Sequence, residues 1–172
     1  MNTVRLRSLC QALNLSTARA EQWISRGYFK PSEPGVAGRA RELTKKDAGQ
    51  LLALSDLVDA GFDAAHIYRE VQHLHLFQRG KAFLVVSTGY LGRIIPSTPR
   101  GGPGAKAEDC LPIYVPGHLY SDIVAHGDLQ KVLAQKQRHV SIVVCLDHLL
   151  SRIEKAWREI ERTQSGALSD PV

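Results

Sequence analysis

Thr17, Arg19, Gln22 and Arg26 lie on one stretch whose apolar residues Ala20, Trp23 and Ile24 recur at i, i+3 and i+4. That spacing predicts an amphipathic helix in which the apolar trio shares a face, with Trp23 in the core, and the four polar side chains project elsewhere. Hydroxyl, guanidinium and carboxamide groups match base edges and phosphate oxygens, and Arg19 and Gln22 are the two expected to reach bases. Ser16 or Thr17 caps the start of the helix by accepting from its free amides. Beyond the helix come Lys30, Arg39, Arg41, Lys45 and Lys46. With Arg26 they make a set of cations suited to a phosphate backbone.

Positive charge is concentrated in this region. Residues 1–46 hold nine Lys or Arg against three Glu, a net of +6, while residues 47–172 hold thirteen against fourteen Asp or Glu, a net of −1, together giving the formal +5. A phosphate-binding surface produces such an asymmetry, because each neutralised phosphate releases condensed counterions. Double-stranded DNA is the partner it implies.

These residues need a frame. Leu9-Cys10-Gln11-Ala12-Leu13 predicts a first helix, preceded at residues 3 to 6 by a short strand or lead-in that buries Leu6 and Leu9, and Asn14-Leu15-Ser16 breaks it. Gly27 ends the second helix where a left-handed residue is least strained. Pro31, Pro34, Gly35 and Gly38 set up a turn-rich excursion, with Arg39, Arg41, Lys45 and Lys46 on its return limb, which predicts a basic β-hairpin or wing. Thr44 and Asp47 are placed to cap a third helix with Leu51, Leu54, Leu57 and Val58 on its stripe. It stops at Ala60-Gly61, and Asp63 caps a fourth helix carrying Ile67, Val71 and Leu74.

With these pieces in order, the first 75 or so residues resemble the MerR-type winged helix-turn-helix regulators. The likeness rests on Leu15-Ser16, on Trp23 with Gly27, on Tyr28-Phe29-Lys30-Pro31, on Arg41-Glu42-Leu43-Thr44-Lys45-Lys46-Asp47, and on Leu57 with the run from Ala60 to Ile67. It implies a DNA-reading head whose second helix enters the major groove, and a homodimer formed through a C-terminal helix on a roughly palindromic site. The chain departs from the family pattern at Glu21, at Ile24 and near Ala40.

From Ala82 the pattern turns extended. Phe83–Ser87 reads as a strand, Gly89–Gly92 as a turn, and Arg93-Ile94-Ile95 as the return of a hairpin. Residues 96–109 hold enough proline and glycine to predict a mobile loop, without the Gly-Lys-Ser/Thr core of a phosphate loop. A third extended piece, residues 111–115, ends at Pro116-Gly117. Pro112 argues for an edge position in that piece. Asp128 is placed to cap a helix bearing Leu129, Val132 and Leu133, and Val140–Cys145 reads as a buried strand, with the Cys145 thiol in the core. Leu146, Leu150, Ile153, Trp157 and Ile160 advance by four, three, four and three residues, a heptad-like seam read as the dimer interface, and residues 163–172 as a frayed tail. The expected fold is α+β: a winged-helix domain over 1–79, a small α+β module of about four strands over 80–145, and a C-terminal helix over 146–164.

No catalytic motif, cofactor or metal site emerges. His73 and His75 stand at i, i+2, which puts their rings on different sides of a helix, His66 lies further off, and Cys145 with His148 has no second pair. Cys10, Cys110 and Cys145 imply no disulfide framework, and the absence of a signal peptide or an 18-residue apolar run predicts a cytoplasmic, nucleoid-associated regulator with no membrane partner. Two other readings stand beside it. Glu21 repels phosphates and reads only a cytosine amine, which favours a phage or plasmid accessory protein (antirepressor, adaptor, excision or packaging factor) whose winged fold contacts a protein partner, or DNA without regulating by itself. A regulator binding a small effector through residues 82–145 is the other, with no convergent polar constellation to define the ligand.

Overall fold

In the computed structural model, residues 3–33, 35, 40–72, 74, 82–93, 113–136 and 138–166 are described. They form an α+β fold of six α-helices and two small antiparallel sheets. β1 (Thr3–Arg5) leads directly into α1 (Leu6–Ala12), and α2 (Thr17–Ser25) follows after a short turn. β2 (Glu42–Thr44) pairs antiparallel with β1, Val4 opposite Leu43, and α3 (Lys45–Asp59) and α4 (Ala64–Gln72) come next. The return limb of the basic excursion thus pairs with the N-terminal strand. Pro34 and residues 36–39, including Arg39, lie outside the described residues.

Three helices end in the same way. Asn14, Gly27 and Gly61 have φ of 56°, 75° and 103°. In each case the amide of that residue reaches the carbonyl three back, and the next amide the carbonyl five back: Leu15 to Cys10 at 2.7 Å, Tyr28 to Trp23 at 2.8 Å, Phe62 to Leu57 at 3.1 Å. This closure needs a left-handed residue, a conformation that glycine adopts freely and asparagine tolerates. It turns Leu15, Tyr28 and Phe62 back onto the core.

α3 is the centre. Thr44 and Asp47 form a capping box, the Asp47 amide donating to Thr44 Oγ1 at 3.2 Å. The Asp47 side chain is fully buried and accepts four hydrogen bonds: from the Ser32 amide and hydroxyl at 2.9 and 2.7 Å on Oδ1, and from the Thr44 amide and hydroxyl at 2.8 and 2.7 Å on Oδ2. One carboxylate therefore ties the segment after α2 to the junction of β2 and α3. Asp63 accepts from the Ala65 amide at 2.9 Å, and Ile67, Val71 and Leu74 are buried, as the stripe predicts.

The second sheet has the order β4-β3-β5. It corrects several expectations. β3 (Phe83–Arg93) is one strand with no turn at 89–92, and β4 (Ile113–Val124) runs straight through Pro116-Gly117. The register slips at Gly89/Tyr90, opposite His118 and Pro116, so the would-be terminators sit in a bulge on an edge strand, where the missing proline amide is tolerated. Among the described residues this sheet has three strands, where about four were expected. α5 (Leu129–Leu133) buries no residue, and Asp128 makes no side-chain cap bond. β5 (Arg138–Cys145) is an exposed edge strand where a buried one was expected: Val140 is 59% and Val143 38% exposed, and Cys145 is exposed too. The loop 96–109, His73, His75 and Cys110 fall outside the described residues.

The expected dimer seam lies within the chain's own core. In α6 (Leu146–Gly166), Leu146, Ile153, Trp157 and Ile160 are buried, with Leu150 half-buried, and the helix packs on α1 and α3 as well as on β3 and β5. Arg152 Nη1 meets Asp56 Oδ2 of α3 at 2.7 Å. A dimer through these residues would have to displace that packing. The helix also takes in residues 163–166, expected as frayed tail, and the boundary at 146 falls inside a core that joins the N-terminal helices, Leu84 and Val86 of β3, and α6. Among the described residues no helix is long and apolar enough to cross a membrane.

Replacing Asp47 with Ala removes the acceptor of four hydrogen bonds and with it the tie between the segment after α2 and the start of α3, and urea unfolding is expected to show a loss of about 3 kcal/mol; a loss below about 1 kcal/mol would contradict the role given to this carboxylate. Trp157→Ala is expected to lower stability by about 3–5 kcal/mol, with a loss independent of protein concentration because the ring packs within one chain.

Candidate nucleic-acid interface

The Ser16 hydroxyl accepts from the Arg19 amide at 3.2 Å and sets where α2 begins. Ala20 and Trp23 face the core, which leaves Ala18, Glu21, Gln22, Ser25 and Arg26 as the exposed face of the helix. Alongside it lies a cleft of about 550 Å³ lined by Arg5, Leu6, Arg7, Glu21, Ile24, Ser25, Ala40 and Arg41. Three guanidinium groups thus share a cleft with one carboxylate. Arg5 comes from β1, Arg7 from the first turn of α1, and Arg41 from the residue before β2, so the pairing of the two strands brings them together. The Arg41 carbonyl accepts from the Leu6 amide at 2.9 Å and fixes the same corner.

The structure separates the expected DNA-contacting residues into groups. Gln22, Arg26, Lys30 and Lys46 are exposed, and among the described residues none of these three cations has a carboxylate partner. Arg41 lines the cleft with its guanidinium folded over Gly35, where an added Cβ would come within 2.8 Å of Nη2. Arg19 is turned away from the cleft: its Nη1 meets Asp59 Oδ1 of α3 at 2.6 Å and its guanidinium lies 5.7 Å from the Trp23 ring centre. The pair is well exposed, which makes it worth little to stability, and in this arrangement the guanidinium is engaged with α3 and does not line the cleft. Lys45 is likewise occupied, its ammonium 5.9 Å from the Trp157 ring centre. Ser16 is a capping residue, its hydroxyl accepting from the Arg19 amide.

Arg5 and Arg7 were not singled out in the sequence. Their signal was present in the charge tally of residues 1–46, but their neighbours in the cleft come from a strand partner nearly forty residues away, as the pairing of Arg5 with Glu42 shows.

Burial pushes the Cys10 thiol up, with Glu21 acting in the same direction and the Thr17 hydroxyl opposing them. A thiol raised in this way is a poor nucleophile. Among the described residues no group of His, Cys, Asp and Glu is arranged to hold a metal ion. The chain matches no protein-family model and no curated protein.

The two described cysteines are expected to react differently with iodoacetamide at mild alkaline pH: Cys145 modified rapidly in the folded protein, Cys10 only on unfolding. Peptide mass spectrometry over a time course reads both, and equal rates would contradict the burial assigned to Cys10.

Proposed function

We propose that this chain is a sequence-specific DNA-binding transcriptional regulator, and that residues 3–74 work as a winged helix-turn-helix head of the MerR type. The observation that carries the reading is the cleft in which Arg5, Arg7 and Arg41 flank the exposed face of α2. A helix with a small polar outer face, bordered by cations for which no ion-pair partner is found among the described residues, suits major-groove entry with phosphates held on one side.

In this reading the residue roles shift from those expected of the sequence. Gln22 reads an adenine edge through its carboxamide, Ala18 meets a thymine methyl, and Glu21 accepts from a cytosine amine. Arg5, Arg7 and Arg41, with Arg26, Lys30 and Lys46, hold the phosphate backbone and carry the salt dependence. Arg19 and Lys45 orient α2 and α6 and leave the bases alone.

Glu21 favours a second reading. A carboxylate at the middle of the exposed helix face, beside three arginines, also suits a mixed-charge protein surface. A phage- or plasmid-type accessory protein that docks on a protein partner would use the same cleft without reading bases.

Fluorescence titration of parent and variants against a fixed duplex pool separates the roles. Arg5→Ala, Arg7→Ala and Arg41→Ala are each expected to weaken binding to all duplexes and to reduce the slope of log affinity on log salt by about one. Gln22→Ala is expected to relax preference at one base pair, by about 1–3 kcal/mol, with the salt slope unchanged. Variants that bind like the parent would contradict the interface and move the protein-partner reading ahead.

A further inference from the structure

β5 is hydrogen-bonded on one side only, to β3, and its other edge lies open among the described residues. We propose that this edge pairs antiparallel with β5 of a second copy of the chain, joining the two three-stranded sheets into one six-stranded sheet across a two-fold axis. The inference does not depend on the DNA reading.

The two edges of the sheet differ. The β4 edge carries Pro116 and a bulge beside it, devices that stop a sheet from recruiting further strands, whereas the one irregularity of β5, at His139 opposite Thr88/Gly89, lies at its start and leaves residues 140–145 in regular register. β5 has eight residues, Arg138-His139-Val140-Ser141-Ile142-Val143-Val144-Cys145, with no proline, glycine or lysine. Its one formally charged side chain is turned inward. The Arg138 side chain is 4% exposed and donates to Gln135 Oε1 at 2.8 Å, to Ser87 Oγ at 3.1 Å and to Asp122. The edge therefore presents no cation or carboxylate to a charged partner strand. It presents backbone groups flanked by Val140 and Val143, both exposed large apolar residues.

That chemistry fits the same strand again. In antiparallel pairing about a perpendicular two-fold axis, facing residues share a side of the sheet, so a two-fold axis at Ile142 sets Val140 beside Val144 of the other copy and Ser141 beside its Val143. Within residues 140–144 apolar residues meet apolar or small ones, and Arg138 stays outside the paired stretch. Val140, Ile142 and Val144 are on the side where Ile142 and Val144 already pack against the core, so the pairing extends an existing apolar layer. α6 offers no rival surface, its apolar seam being buried within the chain.

Sedimentation equilibrium of the full chain, without DNA, tests this. The parent is expected to be a dimer at micromolar concentration, and V140K/V143K a monomer with unchanged far-UV circular dichroism, because a lysine on an exposed edge is tolerated by the monomer and not by the pair. Leu150→Lys, on the half-buried part of α6, is expected to leave the dimer intact. A monomeric parent at tens of micromolar, or a V140K/V143K variant that stays dimeric, would overturn the proposal. Should the double variant unfold, hydrogen exchange of the parent decides: protection of β5 amides that falls on dilution supports the pairing, and protection independent of concentration overturns it.

Discussion

Asp47 has no exposed surface, yet it is a carboxylate, and burial of such a group is tolerated only when its oxygens are satisfied. Ser32 and Thr44 supply donors to both oxygens, from backbone and hydroxyl alike. The consequence is geometric. The segment leaving α2 and the strand entering α3 are held to the same atom pair, so the position of β2 is set relative to α2. Because β2 pairs with β1, that constraint extends to Arg5 and Arg41, two of the three cations in the cleft. The cationic cleft is thus a product of one buried carboxylate and one short strand pair.

A second constraint comes from the far end of the chain. α6 contributes Leu146, Leu149, Ile153, Ala156, Trp157 and Ile160 to the core that α1 and α3 share, and Arg152 ties it to Asp56. The N-terminal helices alone would leave that face of α3 open, since α3 is buried almost throughout from Asp47 to Leu57. The sheet joins the same body through Leu84 and Val86 and through the hydrogen bond between Ser121 and Glu70 of α4. The N-terminal helices, the sheet and the last helix thus share one hydrophobic core.

What the sequence revealed was what local chemistry determines. Ser16, Thr44 with Asp47, Asp63, Gly27 and Gly61 are capping and termination signals that act within five residues, and the helices begin and end near them. Side-chain direction was harder to read. Arg19 has the right chemistry for a base, but Asp59, forty residues on, draws it to α3, and Lys45 is drawn to Trp157. Pro116-Gly117 looked like a strand end because the pairing that carries β4 past it comes from β3. An apolar run without alternation looked buried in β5, whereas its place at an edge depends on strand order, which no local pattern encodes. The α6 seam was legible as a seam and silent about its partner, since heptad spacing fits a neighbouring helix of the same chain as well as one of another.

Selection of bound sequences from a random duplex pool, with the enriched sites titrated at two salt concentrations, tests the central claim most directly. The account predicts an enriched motif bound with steep salt dependence, because base contacts by α2 supply preference while the arginines of the cleft supply phosphate attraction. Weak, salt-sensitive binding with no enriched motif would contradict it, leaving charge attraction alone and no sequence reader.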